Sequence, residues 1–162
     1  MSENSKYLTD ASLARLAKWL RLLGYDTVVF PRAAGRDLLN LAIAEKRIVL
    51  TRRFDMLERQ FSGELYFVAG IDIASQLAEV IAKFSLTVDQ KKIFRLCLNC
   101  NERLFPVTKE EVYSLVPSYV FTNCSEYNKC PSCLRIYWNG THQRNALRFL
   151  KKISNLPEKQ QE

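Results

Sequence analysis

The sequence predicts an α/β protein with a parallel sheet flanked by helices, followed by a small cysteine-bearing module and a terminal helix. Three observations carry this. From Tyr7 to Phe84 the chain alternates strand-like and helix-like segments four times, which argues for parallel strands with helices on both faces. After Phe94 the long helical periods stop and short β-like pieces take over. Within that second stretch four cysteines form two CxxC pairs.

The first unit opens on a strand, Lys6 to Thr9, after a polar tail of residues 1–5. Asp10 stands where a helix would start and can accept hydrogen bonds from its free N–H groups. The helix Ala11 to Leu23 places Leu13, Leu16, Ala17, Leu20 and Leu23 on one face, and Gly24 follows at a stop position. Arg15, Lys18 and Trp19 fall on or near the other side. Asp26 to Phe30 reads as a second strand, ended by Pro31. A second helix spans Gly35 to Lys46, with Leu38, Leu41 and Ala42 apolar and Asp37 in its first turn. Arg47 to Thr51 is the clearest strand, and Arg53 to Phe61 a third helix containing Asp55. Glu64 to Val68 is the fourth strand. Asp72 to Phe84 is the fourth helix, with Ile73, Leu77, Val80, Ile81 and Phe84 inward. Ser85 to Phe94 connects to the second module, and Thr141 to Ile153 is a basic last helix. The expected boundaries are 1–88 for the α/β domain, 89–155 for the cysteine module with its helix, and 156–162 for a disordered tail.

The bulk numbers set limits. At 162 residues and 48% hydrophobic content, the chain can bury a real core in one domain or two small ones. Net charge is +7, and both halves share the excess: 14 basic against 11 acidic residues up to residue 94, then 10 against 6. A basic surface favours polyanions such as RNA. No secretory signal is apparent and no apolar run approaches the roughly 18 residues that span a membrane. The expectation is a soluble, cytoplasmic protein without a membrane partner.

Cys97-x-x-Cys100 and Cys130-x-x-Cys133 are separated by 29 residues. Two such pairs supply the four soft ligands of a tetrahedral zinc ion, and a closed four-thiolate shell leaves no position for water. The predicted zinc is therefore structural. Cys124 is expected to be a bystander rather than a fifth ligand. In the α/β unit, Asp10, Asp55 and Asp72 each follow a predicted strand, and Asp37 opens the helix after the second. Open parallel sheets bind ligands outside the carboxyl ends of their strands. Carboxylates gathered there would hold Mg²⁺ or Mn²⁺, which would polarise a phosphodiester and activate water. Arg15, Lys18, Arg36 and Arg52 would hold the phosphate backbone. Taken singly, Asp10, Asp37 and Asp72 are equally good helix-start residues.

The segments TDASLARLAKWLRLLGYDT, DLLNLAIAEKRIVLTR and CLNC…CPSC…IYWNGTH resemble the Mut-seven C-terminal RNase family over about residues 6–145. The resemblance implies a PIN-like α/β fold, a metal-dependent ribonuclease with Asp10, Asp37 and Asp72 among its acids, and a zinc ribbon that helps hold RNA, while Asp55 is a candidate acid from its own place after a strand. His142, in the matching GTH block, is a candidate phosphate contact or a structural histidine. Arg144 and Arg148 would add RNA contacts on the same helix. Tyr137 and Trp138 suit core packing more than base stacking, and Trp19 suits both a core and an RNA-facing position. The family places an acid directly after LTR. Here that residue is Arg53, and the nearest acid is Asp55. If Arg53 were already helical, Asp55 would point about 200° away from it. Two readings follow: an endoribonuclease, or a PIN-like module of impaired catalysis that docks on structured RNA or a ribonucleoprotein. A protein–protein adaptor using the ribbon as its docking surface is a third.

Overall fold

Strand β1, Tyr7–Thr9, is the hub of a four-stranded parallel sheet, in a computed structural model that describes residues 4–154. Residues 1–3 of the polar tail and the tail predicted at 156–162 lie outside the described residues. The chain divides into two compact units, Met1–Asn101 and Glu102–Glu162.

In the first unit the strands are β1, β2 (Thr27–Val29), β3 (Ile48–Thr51) and β4 (Leu65–Phe67), in the order β2-β1-β3-β4. Leu8 pairs with Val28 on one side and Val49 on the other, while Leu50 pairs with Tyr66. All three residues of β1 are buried, because strands covered on both faces have no polar side to show. Leu8 and Val49 face Leu38, Leu39 and Ala42 of helix α2 (Arg36–Glu45) and Met56 of α3 (Phe54–Leu57). Tyr7 points to the opposite face, where its ring meets Tyr25 and Phe84 edge-on. That face carries helices α1 (Ala14–Leu22) and α4 (Ile73–Phe84), which pack on each other. The predicted stripe Leu13, Leu16, Ala17, Leu20 and Leu23 is fully buried. In α4, Leu77, Val80 and Phe84 are buried, while Ile73 and Ile81 remain partly exposed.

Two predicted helices differ from the observed ones at their starts. Residues Ala11–Leu13 form a 3-10 turn before α1, because Asp10 accepts from the Ser12 N–H and its carbonyl from the Leu13 N–H, which tightens the first turn. The third helix is a single turn rather than the stretch 53–61. Arg53 is extended (φ −99°, ψ 117°), since its N–H bonds the Thr51 hydroxyl. Past Glu58 the chain is drawn away where Arg36 takes the Gln60 carbonyl. Gly24 ends the first helical segment as predicted. Its φ of 92° suits glycine, and a Cβ there would lie 2.6 Å from the Lys92 carbonyl oxygen.

In the second unit β5 (Phe105–Val107), β6 (Tyr127–Lys129) and β7 (Ile136–Trp138) form an antiparallel sheet in that order. Between β5 and β6 the chain inserts a 3-10 turn, Glu110–Val112, and a short helix α5, Ser118–Asn123, which periodicity did not predict. Val112, Val120 and Tyr127 make a small core, with Phe121, Ile136 and Trp138 packed against it. The Tyr127 hydroxyl reaches the carbonyls of Val120 and Cys124 at 3.0 and 2.9 Å, tethering α5. Helix α6, Thr141–Ser154, follows, with Leu150 buried.

A polar knot holds the end of the first unit. Arg47, whose side chain is 8% exposed, pairs with Asp26 at 2.7 Å and also bonds the Tyr7 carbonyl. Asn101 donates to Asp26 at 2.6 Å and accepts from the Thr27 N–H at 3.0 Å. Burial alone would raise the Asp26 pKa, but the hydrogen bonds from Arg47 and Asn101 outweigh it and hold the carboxyl below its ordinary 3.8. A carboxyl lowered on folding stabilises fully above its unfolded value and loses that contribution as pH falls through the folded one. Asp26→Asn is therefore expected to lower stability at pH 7 by roughly 1 kcal/mol, the partial exposure of the pair limiting the effect. The variant should also show a shallower loss of stability below about pH 4 than wild type. Urea unfolding at pH 7 and pH 3 measures both.

Candidate metal centre and carboxylate edge

The four paired cysteines converge. Their sulfurs lie within 4.8 Å of one another, with Cys97 and Cys130 buried and Cys100 and Cys133 partly exposed. Four thiolates at about 2.3 Å from a zinc ion stand roughly 3.8 Å apart, so the set fits a tetrahedral zinc and could hold such an ion. The two pairs are built alike. The Cys100 N–H donates to the Cys97 sulfur at 3.4 Å, and the Cys133 N–H to the Cys130 sulfur at 3.5 Å. Each turn closes with a bond back to the first cysteine's carbonyl, from Asn101 at 2.9 Å and from Leu134 at 3.1 Å. Both closing residues are left-handed, with φ of 63° and 62°. Such N–H groups stabilise thiolates and fix their direction, as outer partners of a metal do. Arg21 adds a tether to the first turn, donating to the Leu98 and Asn99 carbonyls at 2.8 and 3.3 Å and to the Thr27 carbonyl at 2.8 Å. Cys124 stands outside the set, with its thiol 3.8 Å from the Asn139 carbonyl.

Among the described residues the cysteines are the one group of three or more potential ligands that converges in this way, and the aspartates form no second group. Each aspartate has its own surroundings. Asp10 follows β1 and is 6% exposed. Its Oδ1 caps the turn through the Ser12 N–H and hydroxyl, while Oδ2 is buried with no hydrogen-bond partner among the described residues. The neighbouring Thr9 hydroxyl is also buried without one. Asp37 is exposed in the first turn of α2. Asp72 caps α4 in a reciprocal box with Ser75, whose N–H draws its pKa below the usual range. Asp55 is gripped by Arg53 through two bonds of 2.9 and 3.1 Å, with Arg59 at 3.8 Å. Those bonds from Arg53 hold the Asp55 carboxyl below its ordinary range. Because Arg53 is extended and not helical, its side chain can fold over Asp55 two residues on. Hydrogen bonding to Asp55 raises the Arg53 pKa, and the nearby Asp10 charge adds to the rise.

Glu79, which the sequence did not single out, is the fifth carboxylate of this region. It accepts from the Tyr66 hydroxyl and from the Ala69 and Gly70 N–H groups at 2.8–2.9 Å, shaping the connection after β4. Only a long-range pairing of α4 with that loop reveals it. Arg52 lies by the same connection and donates to the Ala69 carbonyl at 3.3 Å. Arg36 bonds the Gln60 carbonyl, while Arg15 and Lys18 are exposed on α1 and Trp19 is half-buried. In the second unit a cleft of about 350 Å³ is lined by residues including Tyr119, Trp138, His142 and Arg144. His142, Arg144 and Arg148 are exposed on α6, and Tyr137 is half-buried on β7. Trp138 packs on the small core, in line with its expected role. No helix among the described residues is long and apolar enough to cross a membrane.

Two outcomes test the metal centre. Purified protein should contain one zinc per chain by mass spectrometry, and Cys130→Ser should lose it together with a large drop in thermal stability. Leu134, 60% exposed at its left-handed position, should be improved by glycine, with Leu134→Gly stabilising by about 1 kcal/mol and raising Tm by roughly 2–4 °C.

The family model described as the Mut7-C RNAse domain matches residues 5–150. No curated protein and no solved structure matches the chain significantly. With the parallel α/β unit and the four-cysteine cluster in place, the chain belongs to the Mut7-C RNAse domain family, which assigns it a ribonuclease-like function.

Proposed function

We propose that this protein is a metal-dependent endoribonuclease of PIN-like type, acting in the cytoplasm, where thiols stay reduced and can ligate zinc. The observation that carries the reading is Asp10. A carboxylate oxygen kept buried and unpartnered costs free energy, about 1–3 kcal/mol or more for a charged group. It is retained where a ligand satisfies it. The position, at the carboxyl end of the central strand of a parallel sheet, is where such folds bind ligands.

Mg²⁺ commonly takes only one or two carboxylates, completing its shell with water and substrate phosphate, so a site anchored by Asp10 fits Mg²⁺ or Mn²⁺. When bound, that ion supplies polarisation of the phosphate and a more acidic attacking water. The protein's own residues do the remainder. Asp10 anchors the site with Oδ2 while Oδ1 stays on the cap, so the side chain cannot rotate away. Arg52 and Arg53 hold non-bridging phosphate oxygens. Asp37 and Asp72 stand on the connections after β2 and β4, within the same proposed acidic edge, and Asp55 contributes by fixing Arg53. Arg15, Lys18 and Arg36 extend the basic track on the α/β unit, and His142, Arg144 and Arg148 line a second RNA-holding surface on α6.

A second reading has its own support. The Arg53–Asp55 pair occupies a position where the family carries an acid, and neutralises the one nearby carboxylate that could replace it. On this reading the chain holds structured RNA or a ribonucleoprotein without cutting it.

Cleavage of a labelled total RNA in Mn²⁺ separates the two. Asp10→Asn retains the capping oxygen and the fold, since Asn caps as well as Asp. It should nonetheless lose activity by more than the roughly hundredfold that loss of an outer metal partner costs. An inactive wild type that gains cleavage on Arg53→Asp would establish the second reading.

A further inference from the structure

Across the carboxyl edge of the sheet the chain lays out, strand by strand, an acid, a guanidinium and an aromatic face. Asp10 follows β1, and Arg53 follows β3, near enough for the Asp10 charge to act on its guanidinium. Phe54, the next residue, is 72% exposed. Its ring stacks on Phe67 at the end of β4, with centroids 4.5 Å apart and planes 23° from parallel. One face of Phe54 is thus held from beneath and most of the remaining ring meets solvent. Leu57, three residues on and on the same side of the helical turn, is half-exposed as well. Meanwhile Arg53 spends Nε and Nη2 on Asp55, and its Nη1 has no partner among the described residues.

We propose that Phe54 is a stacking platform for an unpaired base of the RNA strand whose phosphate is held by Arg53. This rests on the proposed RNA-cleaving site and specifies its substrate as single-stranded. The spacing suits a nucleotide, because adjacent residues offer an unpaired donor for the phosphate and a fixed π-face for the base, and base stacking on aromatics is tolerant of sequence. A duplex keeps its bases stacked inside and has none to offer. Charge argues against a second copy of this chain as the occupant. Arg52, Arg53 and Arg59 outnumber Asp55 and Glu58 on this segment, so a two-fold interface here would set like charge against like charge.

Binding of oligo(A) and of a blunt-ended, fully paired RNA duplex of two strands, measured by anisotropy on the full chain without added divalent ions, tests the proposal. Phe54→Ala, an exposed substitution, should weaken oligo(A) binding about tenfold and duplex binding less than twofold. Phe54→Trp should restore oligo(A) affinity and show fluorescence quenching on binding beyond that of wild type. Ile43→Ala, which removes a half-exposed apolar group on α2, should leave both affinities unchanged. Unchanged oligo(A) affinity in Phe54→Ala, or equal losses on both RNAs, would overturn the proposal. A dimeric wild type that becomes monomeric in Phe54→Ala by light scattering would overturn it too. A chain that binds oligo(A) through Phe54 yet cuts no RNA would keep this proposal and lose only the nuclease reading.

Discussion

Two buried arginines hold the first unit together where its sheet is thinnest. The strands are three or four residues long, so their ladders alone cannot fix the loops that leave them. Arg47 reaches from the start of β3 to Asp26 and the β1 carbonyl, and Arg21 reaches from α1 to the first cysteine turn. Asn101 completes the arrangement from the left-handed residue that closes that turn. A buried guanidinium is tolerable only when its donors are satisfied, and these donors are spent on backbone carbonyls and on the carboxylates of Asp26 and Glu45. The cysteine turn therefore inherits its position from the α/β core and not from cysteine chemistry alone.

The opposite end of the sheet shows how one carboxylate is separated from several. Tyrosine, alanine and glycine donors absorb Glu79, serine donors absorb Asp10 Oδ1 and Asp72, and arginines absorb Asp55. What is left is a single buried oxygen on Asp10 beside an arginine that has one nitrogen to spare. On the proposed reading, Arg53 has exchanged a metal ligand for a phosphate ligand, and Asp55 has become the residue that aims it. Replacing an anion by a cation in this way moves the site from holding a metal through several acids toward holding substrate directly.

The second unit solves a different problem. About sixty residues cannot bury much apolar surface, and its core rests on Val112, Val120 and Tyr127. The inserted helix α5 is therefore tied down through the Tyr127 hydroxyl, and paired thiols in preformed turns offer a metal the remaining share of stability.

The sequence by itself determined the alternation of strands and helices, the leucine stripe of α1, the glycine stop at Gly24 and the pairing of the cysteines. These depend on local period and spacing, which a linear reading captures. The family resemblance added the expectation of an acid at the position that Arg53 fills. The linear reading could not show that Arg53 is extended and folds onto Asp55, that Asp72 is consumed by a capping box, or that Glu79 holds a loop nine residues away. Nor could it find α5, whose six residues are too few for a helical period, or the exposed face of Phe54. Each of these depends on which backbone donors remain unsatisfied once strands pair, and that is decided only when distant segments meet.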